Sequence, residues 1–332
     1  MKILITGGCG FIGSNFIRYI LRNHPEYNLI NLDALTYAGN LENLRDIEGD
    51  DRYTFLKGRI EDQRLVREII NEVDSVIHFA AESHVDRSIM NVQPFIETNI
   101  IGTTNLLEAI RDSSVKRYIH ISTDEVYGSL GESGRFTEET PLAPNSPYAA
   151  SKASADLIVR AYYETYDIPA IIVRPSNNYG PYQFPEKFIP LMITNIIEDR
   201  PIPLYGEGRN VRDWLFVEDN CRAIDLILHN GRIGEVYNVG GNSEMRNIDI
   251  ARAVLRIMRK GEEMITFVKD RPGHDYRYAL DSSKLERETG WRPSTEISEG
   301  LKRTVDWYRE NEWWWRPLKD RLIRESRGFW ER

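Results

Sequence analysis

Two short stretches of this 332-residue chain carry side chains able to do chemistry together. In HISTDEVYG, residues 120–128, an apolar run ends on a hydroxyl, Thr123, followed by adjacent carboxylates, Asp124 and Glu125. In SPYAASK, Tyr148 and Lys152 stand four residues apart and so share one face of a helix. A free tyrosine titrates near ~10 and is a poor base at neutral pH. A lysine ammonium one turn away favours the phenolate, which can then take a proton from a hydroxyl while hydride leaves the same carbon. Alone, Tyr-x-x-x-Lys is common in helices, and two acids after a strand are more often caps of a solvated turn.

A glycine loop gives the pair its context. TGGCGFIGS, from Thr6 to Ser14, follows a first apolar run and opens an amphipathic stretch. Gly7, Gly10 and Gly13 follow G-x-x-G-x-x-G, while Gly8, Gly10 and Gly13 satisfy G-x-G-x-x-G. Residues without Cβ let backbone N–H groups approach a pyrophosphate, which then rests on the positive end of the helix. Asp33 ends the second apolar run, 20 residues after Gly13, where a carboxylate accepts hydrogen bonds from an adenosine ribose. An acid there repels a 2′-phosphate, so the expected cofactor is NAD rather than NADP. Cys9, inside the loop, reads as a small space-filler.

The elements that must position these groups are legible as an alternation of strands and helices. Strands are expected at Lys2–Thr6, Leu29–Asp33, Tyr53–Leu56, Ser75–Ala80, Tyr118–Ser122 and Ala170–Arg174, all buried on both faces. Helices are expected at Phe11–Asn23, Gln63–Asn71, Pro94–Arg111 and Tyr148–Tyr166, the last started by Ser146 and Pro147. This rhythm predicts an α/β fold with a doubly wound parallel sheet whose ligands sit at the carboxyl ends of the strands. The texture changes over residues 175–217, rich in Pro, Gly, Asn and Tyr, and short strands at Val236–Val239 and Ile265–Val268 follow. The expected organisation is a dinucleotide-binding domain over 1–174 and a smaller, mainly substrate-binding lobe over 175–332, with some segments returning to the first. Helices are expected there near Asn247–Arg259 and Ser298–Asn311, and Trp313, Trp314 and Trp315 read as packing for a last helix.

The bulk numbers exclude other classes. A formal net charge of −8 argues against a nucleic-acid footprint and against attraction to acidic membranes. Two distant cysteines, Cys9 and Cys221, argue against a disulfide framework and for a reducing, cytoplasmic setting. The first strand starts at Lys2, which leaves no room for a signal peptide. Six histidines without ligand spacing suggest no metal site.

Taken together, the TGGxGFIGS loop, Tyr-x-x-x-Lys and a Ser/Thr after the mid-sheet strand resemble the extended short-chain dehydrogenase/reductase superfamily. Within it the chain is most similar to the dTDP-glucose 4,6-dehydratases of deoxysugar (rhamnose) precursor synthesis. Carrying that likeness are LTYAGN, AAESHVDRSI, FIETNIIGT, HISTDEVYG, SPYAASKAS, SNNYGPYQFPEKFIP and DRPGHDYRYALD, spread over nearly the whole sequence. The resemblance implies a Rossmann fold, a tightly held NAD recycled in each turnover, a nucleotide diphospho-hexose substrate and a homodimer built on helices around 94–111 and 148–166. It also explains the paired acids. Oxidation at C4 of the sugar acidifies the C5 proton, and water must then leave from C6. A base at C5 and an acid at the bonded C6 hydroxyl are needed side by side, and the resemblance gives Glu125 the first role and Asp124 the second. Because successive residues of a strand point to opposite faces, the chain must turn at Asp124 for both to reach one sugar. Two close carboxyls in a dry site do not both ionise easily, so the proton can belong to the pair.

The same resemblance assigns cofactor contacts to Phe11, Ile12, Asp33, Ala34, Leu35, Thr36, Ile60, Ala80, Ala81, Thr98, Tyr148, Lys152 and Asn178, beside the loop glycines. Substrate contacts are implied for Ser83, Thr123, Asn177, Lys187, Phe188, Pro203, Leu204, Tyr205, Arg212, Asn247, Asp270, Arg271, Pro272, Gly273 and His274. Arg212, Lys187 and Arg271 are the cations a diphosphate needs. Two departures stand out. Relatives usually carry Gly-Asp-Ile where this chain has Gly58-Arg59-Ile60, so the aspartate that typically receives the adenine amino group is missing and the adenine contact is left open, with an arginine able to stack on the ring. Ala34 replaces a frequent lysine, leaving a backbone contact. The rival readings are a nucleotide-sugar epimerase or decarboxylase of the same fold, for which the acid pair is superfluous, and a non-catalytic NAD-binding regulator.

Overall fold

The computed structural model describes residues 1–325 of the chain. Among them twelve strands form: β1 (Lys2–Thr6), β2 (Asn28–Asp33), β3 (Tyr53–Lys57), β4 (Ser75–His78), β5 (Arg117–Ile121), β6 (Ala170–Pro175), β7 (Asn177–Tyr179), β8 (Ile202–Tyr205), β9 (Val211–Phe216), β10 (Val236–Val239), β11 (Glu244–Arg246) and β12 (Ile265–Val268). Seven of these make one sheet in the order β10-β6-β5-β4-β1-β2-β3. Every pairing in it is parallel. Thr6 at the end of β1 lies opposite Leu32 of β2 and His78 of β4. The winding reverses between β1 and β4, so the loops after them part and leave a crevice at the carboxyl edge.

Continuous apolar runs explain the burial of the central strands. Ile3, Leu4, Ile5, Val76, Ile77, Tyr118 and Ile119 are fully covered. One face packs Phe16, Ile17 and Ile20 of the helix Phe11–Asn23 against Ile224 and Ile227 of the helix Val217–Asn230. On the other face lie Val66, Leu106, Leu107 and Val159, from the helices Gln63–Ile70, Thr103–Arg111 and Pro147–Tyr166. The edge strand β3 is the exception to the expected two-sided burial. Thr54 and Lys57 are exposed, because nothing pairs beyond it.

Two further features refine the sequence-based expectation. The expected single helix over Pro94–Arg111 contains a π-helical segment, Ile96–Gly102, between Gln93–Phe95 and Thr103–Arg111. Gly102 sits where a Cβ would be 2.5 Å from Ile60 Cδ1, so this segment lies close on the cleft wall. The chain also returns to the main sheet after leaving it: β10 pairs with β6, Val236 opposite Ile172, and the helix before it packs on the first core. Residues 217–239 are therefore structurally part of the sheet half.

The remaining segments form a second core. It gathers Ile189, Met192, Trp214, Ile250, Val254, Leu301, Tyr308, Trp314 and Trp315. Of the tryptophan triplet, Trp314 and Trp315 are buried there, while Trp313 is half exposed beside Arg45. Small sheets β11-β9-β7 and β12-β8 face the crevice side of this lobe. Residues 326–332 of the expected lobe lie outside the described residues. No helix among the described residues is long and apolar enough to cross a membrane.

Candidate active site

The glycine loop closes tightly on the end of β4. Gly7 has φ +72°, and a Cβ there would stand 2.6 Å from Ala80 Cα. At Gly13 a Cβ would be 2.5 Å from the Gly7 carbonyl. Only glycine fits these two positions. Gly10 caps the helix Phe11–Asn23 without a side-chain hydrogen bond, and the first turn carries no acid. Its leading N–H groups are thus available to an anion at the cleft.

That cleft is lined by Gly7, Gly10, Phe11, Ile12, Gly13, Asp33, Ala34, Thr36, Arg59, Ile60, Ala80, Ala81, Thr98, Tyr148 and Lys152, as the sequence reading expected. Asp33 is doubly engaged by the loop: Cys9 N donates to Oδ2 and Leu35 N to Oδ1, each at 2.8 Å. Burial pushes its carboxyl up while those two bonds oppose the shift. Two expected contacts sit elsewhere. Leu35, at φ +52°, turns its side chain onto the core and is not on the cleft wall, and Asn178 lines the neighbouring cavity instead. Arg59 donates to Glu61 at 3.1 Å, and Glu61 also accepts from the Thr98 hydroxyl at 2.9 Å. Cys9 is buried and its thiol is pushed up to about 12, mainly by that burial, which suits a filler.

The acids sit where β5 gives way to a 3₁₀ turn, Asp124–Tyr127. Thr123 caps that turn: its Oγ1 accepts from Glu125 N and donates to Asp124 Oδ1, both at 3.2 Å. The turn ends at Gly128, φ +85°, where a Cβ would be 2.4 Å from the Ala143 carbonyl. The chain thus turns at the acids, with Glu125 on the wall of the larger cavity described below and Asp124 on the wall of neither cavity. Asp124 is 2 % exposed, and its Oδ2 has no partner. Burial pushes its carboxyl far above the usual range, and the charge of Glu125 adds to this, so the site favours the protonated form of Asp124. Glu125 is raised by burial too, but Arg271, Arg212 and Lys187 pull it back. The two carboxyls are thereby driven apart in acidity, one kept neutral and the other opposed by three cations.

Tyr148 rises from the first turn of Pro147–Tyr166, which starts cleanly because Ser146 Oγ accepts from Ala149 N at 3.1 Å. Its ring packs on Phe95 at 6.2 Å between centroids. The phenol is pushed well above 10 by burial and then by Glu125, while the nearby Thr123 hydroxyl opposes the shift. In the chain's own field, burial and the Glu125 carboxylate set this direction. The Lys152 ammonium donates to the Ile121 carbonyl at 2.8 Å, and burial pushes it down to about 8.

A second cavity of about 1180 Å³ adjoins the first, sharing Ser83, Gln183 and Lys187 with it. It exceeds the ~300–1,000 Å³ of ordinary small-molecule sites, as an elongated ligand needs. Ser83, Asn177, Lys187, Phe188, Pro203, Leu204, Tyr205, Arg212, Asn247, Arg271, Pro272 and His274 line it together with Glu125. Thr123, Asp270 and Gly273 do not. Thr123 and Asp124 lie behind Glu125, Asp270 is drawn off to His274 Nδ1 at 2.6 Å, and Gly273 turns at φ +63° against Asn145. Arg212 is buried, bonded to the Asp275 carbonyl and stacked over Tyr278 at 4.3 Å.

Sequence reasoning missed His84, Asp86, Glu186 and Tyr278 on this wall. Asp86 accepts from Arg271 at 3.4 Å and from the Tyr205 hydroxyl at 3.3 Å, while Glu186 accepts from Arg87 at 3.1 Å. His84 and Asp86 lay within AAESHVDRSI and Glu186 within FPEKF, so the signal was a motif whose every polar member needed a place. Nor did spacing reveal that folding joins His24, Asp225 and His229 at the outer ends of two helices. His24 Nε2 meets Asp225 Oδ1 at 2.9 Å and His229 Nδ1 meets the Asp225 carbonyl at 2.7 Å. The two imidazoles stack at 5.0 Å with planes 21° apart, so their in-plane lone pairs run side by side.

A doubly wound dinucleotide sheet with Tyr–Lys and a buried acid pair at its crevice defines a nucleotide-sugar-modifying enzyme of the extended dehydrogenase class. Comparison with known proteins sharpens this. Residues 4–304 match the GDP-mannose 4,6 dehydratase family. The dTDP-glucose 4,6-dehydratase of Xanthomonas campestris pv. campestris (strain B100) is 49 % identical, covering 98 % of this chain and 97 % of that protein. The dTDP-glucose 4,6-dehydratase of Mycobacterium tuberculosis H37Rv is 50 % identical, over 96 % and 97 %. Among solved structures, the dTDP-glucose 4,6-dehydratase of Bacillus anthracis str. Ames, in complex with NAD, superimposes with a TM-score of 0.90 at 52 % identity, over 96 % and 99 %. The UDP-glucuronic acid 4-epimerase of Bacillus cereus, with UDP-glucuronic acid and NAD, gives 0.88 at 31 % identity, over 93 % and 99 %. The chain belongs to the nucleotide-sugar 4,6-dehydratase family, with the dTDP-glucose 4,6-dehydratases.

Proposed function

We propose that this protein is an NAD-dependent dTDP-glucose 4,6-dehydratase, converting dTDP-glucose to dTDP-4-keto-6-deoxyglucose and water for deoxysugar precursor synthesis. The observation that carries the reading is the buried couple Asp124–Glu125, one carboxyl kept neutral and the other beside three cations, next to Tyr148. An epimerase at C4 has no use for such a couple.

The cleft fits NAD by its own geometry: glycines where a Cβ would strike backbone, an uncapped helix start and the carboxylate of Asp33. Bound there, NAD supplies a hydride acceptor for C4, a donor of that hydride to C6 and a positive ring beside Tyr148. Gly10, Phe11, Ile12 and Gly13 would hold the pyrophosphate end, Asp33 the ribose and Arg59 the adenine side. Tyr148 removes the C4 hydroxyl proton, with the Thr123 hydroxyl nearby and Lys152 supporting the charge. Glu125 then takes the C5 proton. Asp124, already protonated, gives its proton to the departing C6 hydroxyl, whose approach satisfies the orphaned Oδ2. Glu125 returns its proton to C5 as C6 receives hydride, and the proton Tyr148 took is passed on to Asp124, so one water is lost and all three residues are reset. Lys187, Arg212 and Arg271 hold the diphosphate, and residues 175–332 act mainly as the substrate lobe.

Three further readings are coarser. A homodimer is supported by half-exposed Ile101, Leu157 and Tyr166 on adjoining helices. Two buried free cysteines suit a reducing cytoplasm. The expected lack of nucleic-acid or membrane partners rests on the acidic balance. The function is tested by incubating the NAD-replete protein with dTDP-, UDP- and GDP-hexoses and resolving products by mass and by alkaline absorbance of the 4-keto sugar. Turnover of dTDP-glucose with loss of one water is expected. An isomer of unchanged mass overturns the reading.

A further inference from the structure

Behind the Tyr148–Lys152 helix lies a buried charge network to which the mechanism above assigns no role. Asp156 follows Lys152 by one helical turn and is 2 % exposed. Arg174 of β6 donates from Nε to Asp156 Oδ2 at 2.8 Å. The same guanidinium donates from NH1 to the Tyr127 hydroxyl at 2.8 Å, and Tyr127 donates onward to Asn238 Oδ1 at 2.8 Å. Tyr127 closes the turn whose first residues are Asp124 and Glu125. Asp156 and Arg174 therefore connect, in two hydrogen bonds, the element carrying the oxidising pair with the element carrying the acids.

We propose that Asp156 is a positioning residue for the oxidation step: it is the buried countercharge of Lys152 and, through Arg174 and Tyr127, it fixes the Tyr148–Lys152 helix against the Asp124–Glu125 turn. The proposal rests on the reading of Tyr148 and Lys152 as the oxidising pair. Lys152 has a single hydrogen bond among the described contacts, to a neutral carbonyl. The charged and titratable groups around it come from every side. His78 on β4 and His120 on β5 are both held neutral by burial, His120 down to about 4. Arg174 on β6 is cationic, and the phenol of Tyr148 stays protonated in the chain's own field. Asp124 and Glu125 sit beyond Tyr148. Asp156 is the anion that opposes the desolvation of Lys152, and despite its own burial Arg174 holds it ionised, at about 2. His120 Nε2 approaches its other oxygen at 3.4 Å. A residue serving only as packing at this depth needs no charge.

The test uses the full NAD-loaded chain with Asp156→Asn and Asp156→Glu. Removing the negative charge lowers the lysine titration by about one unit, the low end for a close charge partner. The alkaline limb of kcat against pH is expected to move down by that amount in Asp156→Asn, roughly tenfold lower activity above it, with KM for dTDP-glucose unchanged. Asp156→Glu is expected to restore the limb. A lysine-selective NMR titration, assigned with Lys152→Arg, reads the same shift without turnover. It keeps the proposal testable even if the dehydratase reading fails. Should Asp156→Asn fold poorly because Arg174 is stranded, the double variant D156N/R174Q is compared with Arg174→Gln alone, and the limb and the lysine titration are expected to lie lower in the double variant. A limb and a lysine titration that stay in place while only thermal stability falls would overturn the proposal.

Discussion

Replacing Glu125 by Gln removes a base and a negative charge while keeping the side chain's shape. Glu125 lines the larger cavity and not the glycine-lined cleft, so NAD affinity is expected to stay within a few-fold. Its charge raises both Tyr148 and Asp124, so its loss eases ionisation of the phenol and does not impede oxidation at C4. What disappears is proton removal from C5. A positioned general base contributes roughly 10²–10⁴ in rate, which is about 2.7–5.4 kcal/mol of barrier at 1.36 kcal/mol per decade. Single-turnover mixing with dTDP-glucose, followed by the near-ultraviolet absorbance of reduced nicotinamide, separates the steps. The expected trace is a rapid rise that decays 10²–10⁴ times more slowly than in the parent. Turnover within about tenfold of the parent refutes Glu125 as the base. So does a folded, NAD-replete variant that no longer reduces its cofactor.

Tyr148→Phe removes the proton acceptor and leaves the hydrophobic contact with Phe95, so the absorbance rise itself should slow by ~10²–10⁴-fold at unchanged thermal stability. Asp124→Asn should lose dehydration and gain stability with a definite pH dependence. The folded carboxyl titrates above its unfolded value, so below about pH 4 both states are neutral and the variant gains nothing from this term. As pH rises, the unfolded chain ionises first and the parent loses stability relative to the variant. Denaturant melts should therefore show a difference of about 1–2 kcal/mol at pH 7 that shrinks towards pH 4; a difference independent of pH contradicts the buried neutral acid. Gly7→Ala places a Cβ 2.6 Å from Ala80 Cα at φ +72°, so NAD binding by fluorescence titration should fall at least tenfold with a stability loss of about 1–3 kcal/mol. Normal NAD affinity in that variant would mean the loop is not the cradle.

Much of this was legible because local pattern and tertiary role coincide. The helix Phe11–Asn23 has the expected bounds, since a glycine turn and an apolar stripe fix both its start and its buried face. Strand ends and the Tyr–Lys helix were legible for similar reasons, the latter through the Ser146–Pro147 start. What stayed hidden depends on long-range contacts. The π-helical segment Ile96–Gly102 has no propensity signal; it is stabilised where Asn99 donates to Ser151 at 2.9 Å and to the Glu82 carbonyl at 3.0 Å. Leu35 adopts a left-handed backbone because the Asp33 carboxylate captures its N–H, which a spacing argument does not reveal. A return of some segment to the first domain was expected, but that it is β10 depends on partner choice, not on its own four residues.

The central claim is that one sugar is oxidised at C4, loses water across C5–C6 and regains its own hydrogen, through Tyr148, Glu125 and Asp124 acting on a single bound hexose. Turnover of dTDP-glucose carrying deuterium at C4, with the product read by NMR, tests this most directly. The deuterium is predicted to appear at C6 of a 4-keto-6-deoxy product, without dilution by solvent hydrogen. Deuterium retained at C4 beneath an inverted hydroxyl, or lost to water, contradicts it.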